Sequence, residues 1–331
     1  MNLVSHRVCA GHSGAVTSLT ALVRTSTGYI FHPCCECEYH LLLMEQNRFY
    51  ATPGKRFRLK DYDPADTGKY KSHTHAKKML EENLERLQQY QDLLYSERSY
   101  SLLIILQAMD AAGKDGTIKH VMSGVNPAGC DVHAFKQPSQ EELDHDFLWR
   151  CYNDLPERGK IGIFNRSYYE EVLVTRVHPK FLDAQRLPGF DGPSDKFWKH
   201  RFESINDMEK HLVRNGTVIL KFFLHLSKEE QAKRFLARID DPGKNWKFSE
   251  ADLEERLRWG DYMACYEDMI GHTSTKHAGW YVVPADHKWF THLCVSDIIV
   301  ETLKGLKLKY PGVSAEQKER LQAAREALSR R

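Results

Sequence analysis

The feature that most constrains this chain is an apolar run, Leu102 to Leu106, that passes directly into a turn of small side chains ending in a lysine. The run shows no polar alternation, which suits a strand covered on both faces. Gln107, Ala108, Met109 and Asp110 follow it, then Ala111, Ala112, Gly113, Lys114, Asp115, Gly116 and Thr117. Beyond the turn Ile118, Val121 and Met122 recur at helical spacing. A buried strand, a small-residue turn and a helix start form the arrangement that cradles phosphate: backbone N–H groups face an anion, and a lysine reaches its terminal oxygens. The match to G-x-x-x-x-G-K-[ST] is partial. Ala108 stands at the first glycine, and Asp115 stands where a hydroxyl usually meets magnesium. With that hydroxyl replaced, a metal needs a hard oxygen from elsewhere, and Asp110 inside the loop can supply one.

The 331 residues suffice for one large α/β domain with appendages. Forty-seven basic residues face forty-five acidic ones, a net charge of +2 that excludes a general nucleic-acid or membrane polyanion binder, so a polyanion site has to be a local cluster. Cys130, Cys151, Cys265 and Cys294 are scattered in apolar or helical surroundings and read as reduced core residues. No apolar run approaches the roughly 20 residues of a membrane span, and a cytoplasmic protein is expected. Residues 1–43 have no acidic residue before Glu36 and no sustained period. They are expected to be a disordered or non-native leader, with Met44 as the working start. His32, Cys34, Cys35 and Cys37 lack the second ligand pair of a zinc site.

Residues 44–100 comprise a polar arm and an amphipathic helix from Ala76 to Tyr95. A short strand at 131–135 has Lys136 at its carboxyl end, and Ser139 with Glu142 forms a capping box that should open a helix running to Tyr152. A second apolar strand, 160–165, ends in Asn165, Arg166 and Ser167. Asn165 brings no charge, whereas Arg166 can fork onto a phosphate. A helical stretch with Glu171 and Arg176 follows, then a long helix at 197–215 and a strand at 217–226 that reads as apolar on both faces. Ser227 and Glu230 suggest another capping box, opening a lid at about 227–260. Its cations are Lys233, Arg234, Arg238, Lys244, Lys247, Arg256 and Arg258. Residues 280–284 are the last strand, and 307–331 form a charged helical tail.

Four separated segments, MDAAGKDGTI, FKQPSQEELDHDFLWR, IGIFNRSYYEEVLVTRVHP and DDPGKNWKFS, stand in an order and spacing that resembles the family 2 polyphosphate kinases, from about Arg48 to Leu306. Strands alternating with helices give a three-layer α/β/α sandwich with a parallel sheet and ligands at the carboxyl ends of its strands. The resemblance implies a phosphate-loop kinase like the thymidylate kinases, with a helical lid over a core at 101–306. It also implies transfer of phosphoryl groups from inorganic polyphosphate to AMP and ADP, with Mg²⁺ (or Mn²⁺ in its place), and a homodimer or homotetramer. Adenine nucleotides, and guanine nucleotides by extension, are the expected acceptors.

Carried over residue by residue, the resemblance makes Asp110 the metal-holding and acceptor-orienting carboxylate and Lys114 the holder of the transferring phosphate. Amides from Ala112 to Gly116 form the cradle, with Ala111, Asp115 and Thr117 beside it, and Asn165 and Arg166 face it. Lys136, Glu171, Arg176, Arg234, Arg238, Lys244 and Lys247 are expected on the nucleotide or the phosphate chain. Two other readings share parts of this pattern: an ATP-dependent nucleoside monophosphate kinase, and a non-catalytic nucleotide sensor. The first needs no cationic track beyond two nucleotide sites, and the second would not turn over.

Overall fold

The computed structural model describes residues 23–25, 28–30, 48–70 and 73–329. The chain divides into two compact units, Met1–Arg48 and Phe49–Arg331. In the first, Val23–Thr25 pairs antiparallel with Gly28–Ile30. The remainder of the expected leader, 1–43, and Met44, the expected start after it, lie outside the described residues.

The second unit is built on six strands: β1 (Tyr50–Ala51), β2 (Ser101–Gln107), β3 (Cys130–Ala134), β4 (Ile161–Asn165), β5 (Thr217–His225) and β6 (Trp280–Pro284). Their spatial order is β1-β6-β5-β2-β4-β3. The pairs from β3 to β6 are parallel, as an alternating strand–helix chain requires. The sheet as a whole is mixed, because β1 pairs antiparallel with β6. The arm reaches that edge without a crossover helix, and antiparallel pairing needs none.

The eight longer helices are α1 (His73–Glu97), α2 (Lys114–Val121), α3 (Asp195–Arg214), α4 (Lys228–Ile239), α5 (Glu250–Leu257), α6 (Trp259–Thr273), α7 (Lys288–Gly305) and α8 (Ala315–Ser329). β2 is buried at all seven positions because it pairs with β4 on one side and β5 on the other, and helices cover both faces. Leu103 and Ile105 enter the core formed with α3 and α6. On the other face α7 packs against α1, α2 and the strands. The chain order on either side of β2 reverses, so a crevice opens at the carboxyl ends of β2 and β4.

Three further expectations change. The helix expected from Ser139 to Tyr152 is two short pieces, Gln140–Leu143 and Trp149–Tyr152. Its capping box is present, but the Asp146 carboxylate accepts from the Leu148 N–H at 2.9 Å and turns the backbone out of the helix between them. At Ser227 only half a capping box forms: Ser227 Oγ accepts from the Glu230 N–H, while the Ser227 N–H goes to Asp286. β5 is not apolar throughout, since Lys221 sits in it fully buried. Its ammonium donates to Glu209 (2.7 Å), Tyr169 Oη (2.8 Å) and the Thr273 carbonyl (2.7 Å), and Tyr168 and Tyr169 both donate to Glu209. Every donor of the buried cation is thereby used. The charged tail helix is present as expected, as α8, and is exposed along its whole length.

Candidate active site

The turn after β2 is shaped by where its carbonyls go. Lys114 Nζ donates to the carbonyls of Ala108 (2.8 Å) and Met109 (3.5 Å). Gln231 Nε2 takes the Asp110 carbonyl at 2.9 Å, and Arg234 Nη1 takes those of Ala111 (3.1 Å) and Ala112 (2.9 Å). Five consecutive carbonyl oxygens are thus held by side chains. Ala111 adopts a left-handed φ of 64° and Gly113 one of 106°, which only glycine takes without strain. The amides of Gly113, Lys114, Asp115 and Gly116 record no acceptor among the described residues, as expected of a first helical turn. The Ala112 N–H donates to Met109 O, so the cradle begins one residue later than expected. Thr117 is buried and its N–H closes onto Gly113 O at 2.8 Å. The loop therefore turns carbonyls away and leaves donors free, which suits an anion.

The facing residues come from the end of β4, where Asn165 pairs in register with Leu106. Asn165 Nδ2 donates to Asp115 at 2.6 Å. Arg166, at φ 65°, is bracketed by two carboxylates, Asp110 at 2.7 Å and Glu170 at 3.3 Å. Glu170, and after it Asp110, hold the guanidinium firmly charged against the cost of its burial. Burial, with the nearby Arg166 charge, lowers the Lys114 pKa to about 8. Asp110 Oδ2 has no hydrogen-bond or ion-pair partner among the described residues.

The lid residues divide. Arg234 is buried, and all five of its N–H groups are committed: to Glu230, to Ala111 and Ala112, and to the carbonyls of Ala285 (2.6 Å) and Asp286 (3.0 Å). The expected phosphate clamp is here a strut between the loop, α4 and the end of β6. Arg238 reaches Asp252 (3.5 Å) and the Lys247 carbonyl (3.2 Å), joining the two lid arms. Lys244 pairs locally with Asp241 at 2.5 Å, and Lys247 lies over the ring of Trp246, itself 77% exposed. Arg176 is held by Asp268 of α6 and lies over the rings of Trp198 and Phe202, so its contacts are with the helical layer and not with the loop.

A cavity of about 560 Å³ opens beside Arg166 and Ser167, walled by Phe135, Phe147, Val174 and Phe181. Lys136 is at its rim, and Glu171 lines it. Glu171 is buried with Arg201 (3.0 Å) and Gln185 (2.8 Å), and burial lifts its carboxyl to about 7 against their pull. Apolar walls with a few convergent polar groups are the usual make-up of a small-molecule site.

Sequence reasoning passed over Glu170, Gln231, Asp252 and Lys288. Burial, followed by the Asp110 charge, raises the pKa of Asp252, which brings α5 into the field of the loop. Lys288, at the start of α7, has its pKa lowered by burial and then by Arg234. Gln231 is unmarked in the sequence because its partner Asp110 lies 121 positions away, whereas Glu170, four positions from Arg166 within a quoted segment, was within reach of a local reading. Among the described residues no group of three or more His, Cys, Asp or Glu side chains is placed to hold a metal by itself. The hard oxygens of Asp110 do fit a cation that keeps several waters and takes its other ligands from phosphate, as Mg²⁺ does.

The match to known proteins agrees with this geometry. Residues 70–311 fit the family model described as polyphosphate kinase 2. The chain is 53% identical over 283 residues to an ADP-polyphosphate phosphotransferase of Rhodopseudomonas palustris, covering 83% of this chain and 98% of that one. It is 45% identical to an AMP/ADP-polyphosphate phosphotransferase of Meiothermus ruber, covering 80% and 95%. The crystal structure of polyphosphate kinase 2 from Arthrobacter aurescens superposes with a TM-score of 0.75 at 38% identity, over 83% of this chain and 95% of that one. A phosphate loop with its carbonyls turned inward, an arginine-bearing strand end facing it and a family match across most of the second unit lead to one assignment: the chain belongs to the polyphosphate kinase 2 family.

Proposed function

We propose that this protein is a phosphotransferase that moves phosphoryl groups from inorganic polyphosphate to AMP and then to ADP, giving ATP, with Mg²⁺ as its metal. The observation that carries the reading is the row of amides at Gly113–Gly116, unpaired among the described residues, in the same loop as the Lys114 ammonium and as Asp110, which pairs with Arg166. Phosphoryl transfer needs positioning and charge neutralisation more than covalent help. The amides and the Lys114 ammonium hold the phosphate chain. Arg166 meets charge that spreads over the transferring group, and its two carboxylate partners fix its plane. Asp110 orients the acceptor oxygen and offers Oδ2 to the metal, which supplies Lewis-acid polarisation of phosphate when bound. The cavity beside Arg166 seats the acceptor nucleoside, with Lys136 and Glu171 on its walls.

The neutral Asn165 supports acceptance of both AMP and ADP. It adds no fixed negative charge, so acceptors differing in phosphate charge can share one site. Lys244 and Lys247 lie on the exposed lid turn, which supports their following a longer polyanion. The homo-oligomer implied by the resemblance would assemble from this unit. The direct test compares donors: AMP with polyphosphate and Mg²⁺, against AMP with ATP and Mg²⁺. Turnover with polyphosphate far exceeding that with ATP is expected. The reverse would make the protein an ATP-dependent monophosphate kinase, and no turnover with either would make it a sensor.

A further inference from the structure

Gln231 lies in α4 with 1% of its surface exposed, and both ends of its amide are used across the site. Nε2 donates to the carbonyl oxygen of Asp110 at 2.9 Å, and Oε1 accepts from Arg256 Nη1 of α5 at 3.0 Å. The amide can point only one way, because a carbonyl only accepts and a guanidinium only donates. The same Arg256 nitrogen also donates to the Lys228 carbonyl at 2.7 Å, which fixes it to the first turn of α4. Asp110, whose backbone is held in this way, carries the carboxylate that pairs with Arg166. A path of two hydrogen bonds therefore joins the second lid helix to the backbone of the residue placed at the reacting phosphate.

We propose that Gln231 is a positioning residue that makes the seating of the lid helix α5, through Arg256, a condition for the transfer-competent conformation of the phosphate loop at Asp110. The proposal rests on reading that loop as the phosphoryl-transfer site. When α5 is seated, Arg256 polarises and orients the Gln231 amide. Gln231 then withdraws the Asp110 carbonyl from the cradle, alongside the Arg234 bonds to the next two carbonyls. When α5 lifts, Gln231 loses the partner that fixes its amide. The loop carbonyl can then rotate toward the anion, where its partial negative charge opposes binding of the transition state.

The experiment is a double-mutant cycle on the full chain with polyphosphate and AMP. Gln231→Leu removes both bonds, Gln231→Glu keeps the acceptor for Arg256 but loses the donor to Asp110, and Arg256→Ala removes the lid end alone. Each should lower kcat, by about tenfold for both Gln231 variants and less for Arg256→Ala, with KM for AMP within about twofold. The double variant Gln231→Leu/Arg256→Ala should be no slower than Gln231→Leu, since the two substitutions break one path. The Glu229→Gln variant, altered at an exposed position of the same helix, is the control and should retain wild-type rates. Multiplicative losses in the double variant, wild-type kcat in Gln231→Glu, or a loss carried by KM would each overturn the proposal. If Gln231→Leu fails to fold, Gln231→Glu paired with Arg256→Ala completes the cycle. A wild-type protein inactive with polyphosphate would instead sink the functional reading itself, and the two failures are separable.

Discussion

The phosphate loop and the lid turn are both rich in small residues and charge, yet they are built on opposite principles. In the loop, five consecutive carbonyls are satisfied by Lys114, Gln231 and Arg234, and Ala108, Met109, Ala111 and Ala112 are buried. In the lid turn, Asp240 to Ser249, the Lys244 and Lys247 side chains are exposed, the first paired with Asp241 and the second over the ring of Trp246. The loop is fixed by buried donors of α4, whereas the turn is tied to the end of α4 by exposed contacts, from Arg238 to the Lys247 carbonyl and from Asn245 to the Ile239 carbonyl. A surface that must fix the geometry of a reacting phosphate needs the first design. A surface that must follow a polyanion of variable length is better served by the second, where charge is available and geometry is not.

This contrast is sharpest at Asp110. Asp110→Asn removes the loop carboxylate that pairs with Arg166 and leaves the loop's carbonyl bonds in place. Turnover should fall by about 10² or more, with the melting temperature unchanged. Near-normal activity with an unchanged magnesium requirement would show that the metal and acceptor are held elsewhere.

The rigid region also has a foundation behind it. Tyr168 and Tyr169 follow Arg166 and Ser167 directly, and both bind Glu209, which neutralises the buried Lys221. Glu209→Ala should cost about 3–5 kcal/mol in chemical denaturation, because it strands a buried charge. A loss below about 1 kcal/mol would mean that water enters and the foundation is softer than it looks.

The loop should respond to pH in a way the lid turn does not. With its pKa lowered to about 8 in the folded protein, Lys114 sheds its charge there well before it would in the unfolded chain. Between pH 8 and its ordinary value near 10.5, the unfolded state carries the extra proton, so this group's contribution to stability rises with pH over that window. Phosphate binding runs the other way: affinity for polyphosphate should weaken several-fold per pH unit above about 8. A flat affinity from pH 7 to 9 would place the ammonium outside the phosphate contact.

The smallest effect belongs to the lid. The double variant Lys244→Ala/Lys247→Ala should leave stability within about 0.5 kcal/mol and reduce the salt dependence of polyphosphate binding by about one to two units of log–log slope. An unchanged slope would leave the turn as solvated surface.

The sheet was largely legible from the chain, because uninterrupted apolar runs at Leu102–Leu106 and Ile161–Phe164 admit little else. Lys114, Asp110 and Arg166 were legible because a phosphate loop and a strand end have local signatures. The role of Arg234 was not. Five donors on a lid helix look like a phosphate clamp in sequence, and only the fold shows four of them on backbone carbonyls of the loop and the β6 end. Gln231 and Glu209 were invisible for the same reason: a polar residue at helical spacing says nothing of a partner 121 or 12 positions away. The helix expected through Asp146 failed locally, where a carboxylate competed for a backbone N–H.

One site, with a neutral Asn165 beside Arg166, is proposed to take AMP to ATP from polyphosphate. The measurement that tests it most directly is a time course of nucleotide products from AMP with excess polyphosphate and Mg²⁺. ADP should rise first and then fall as ATP accumulates. AMP consumption that stops at ADP, or AMP left untouched while added ADP is phosphorylated, would contradict it.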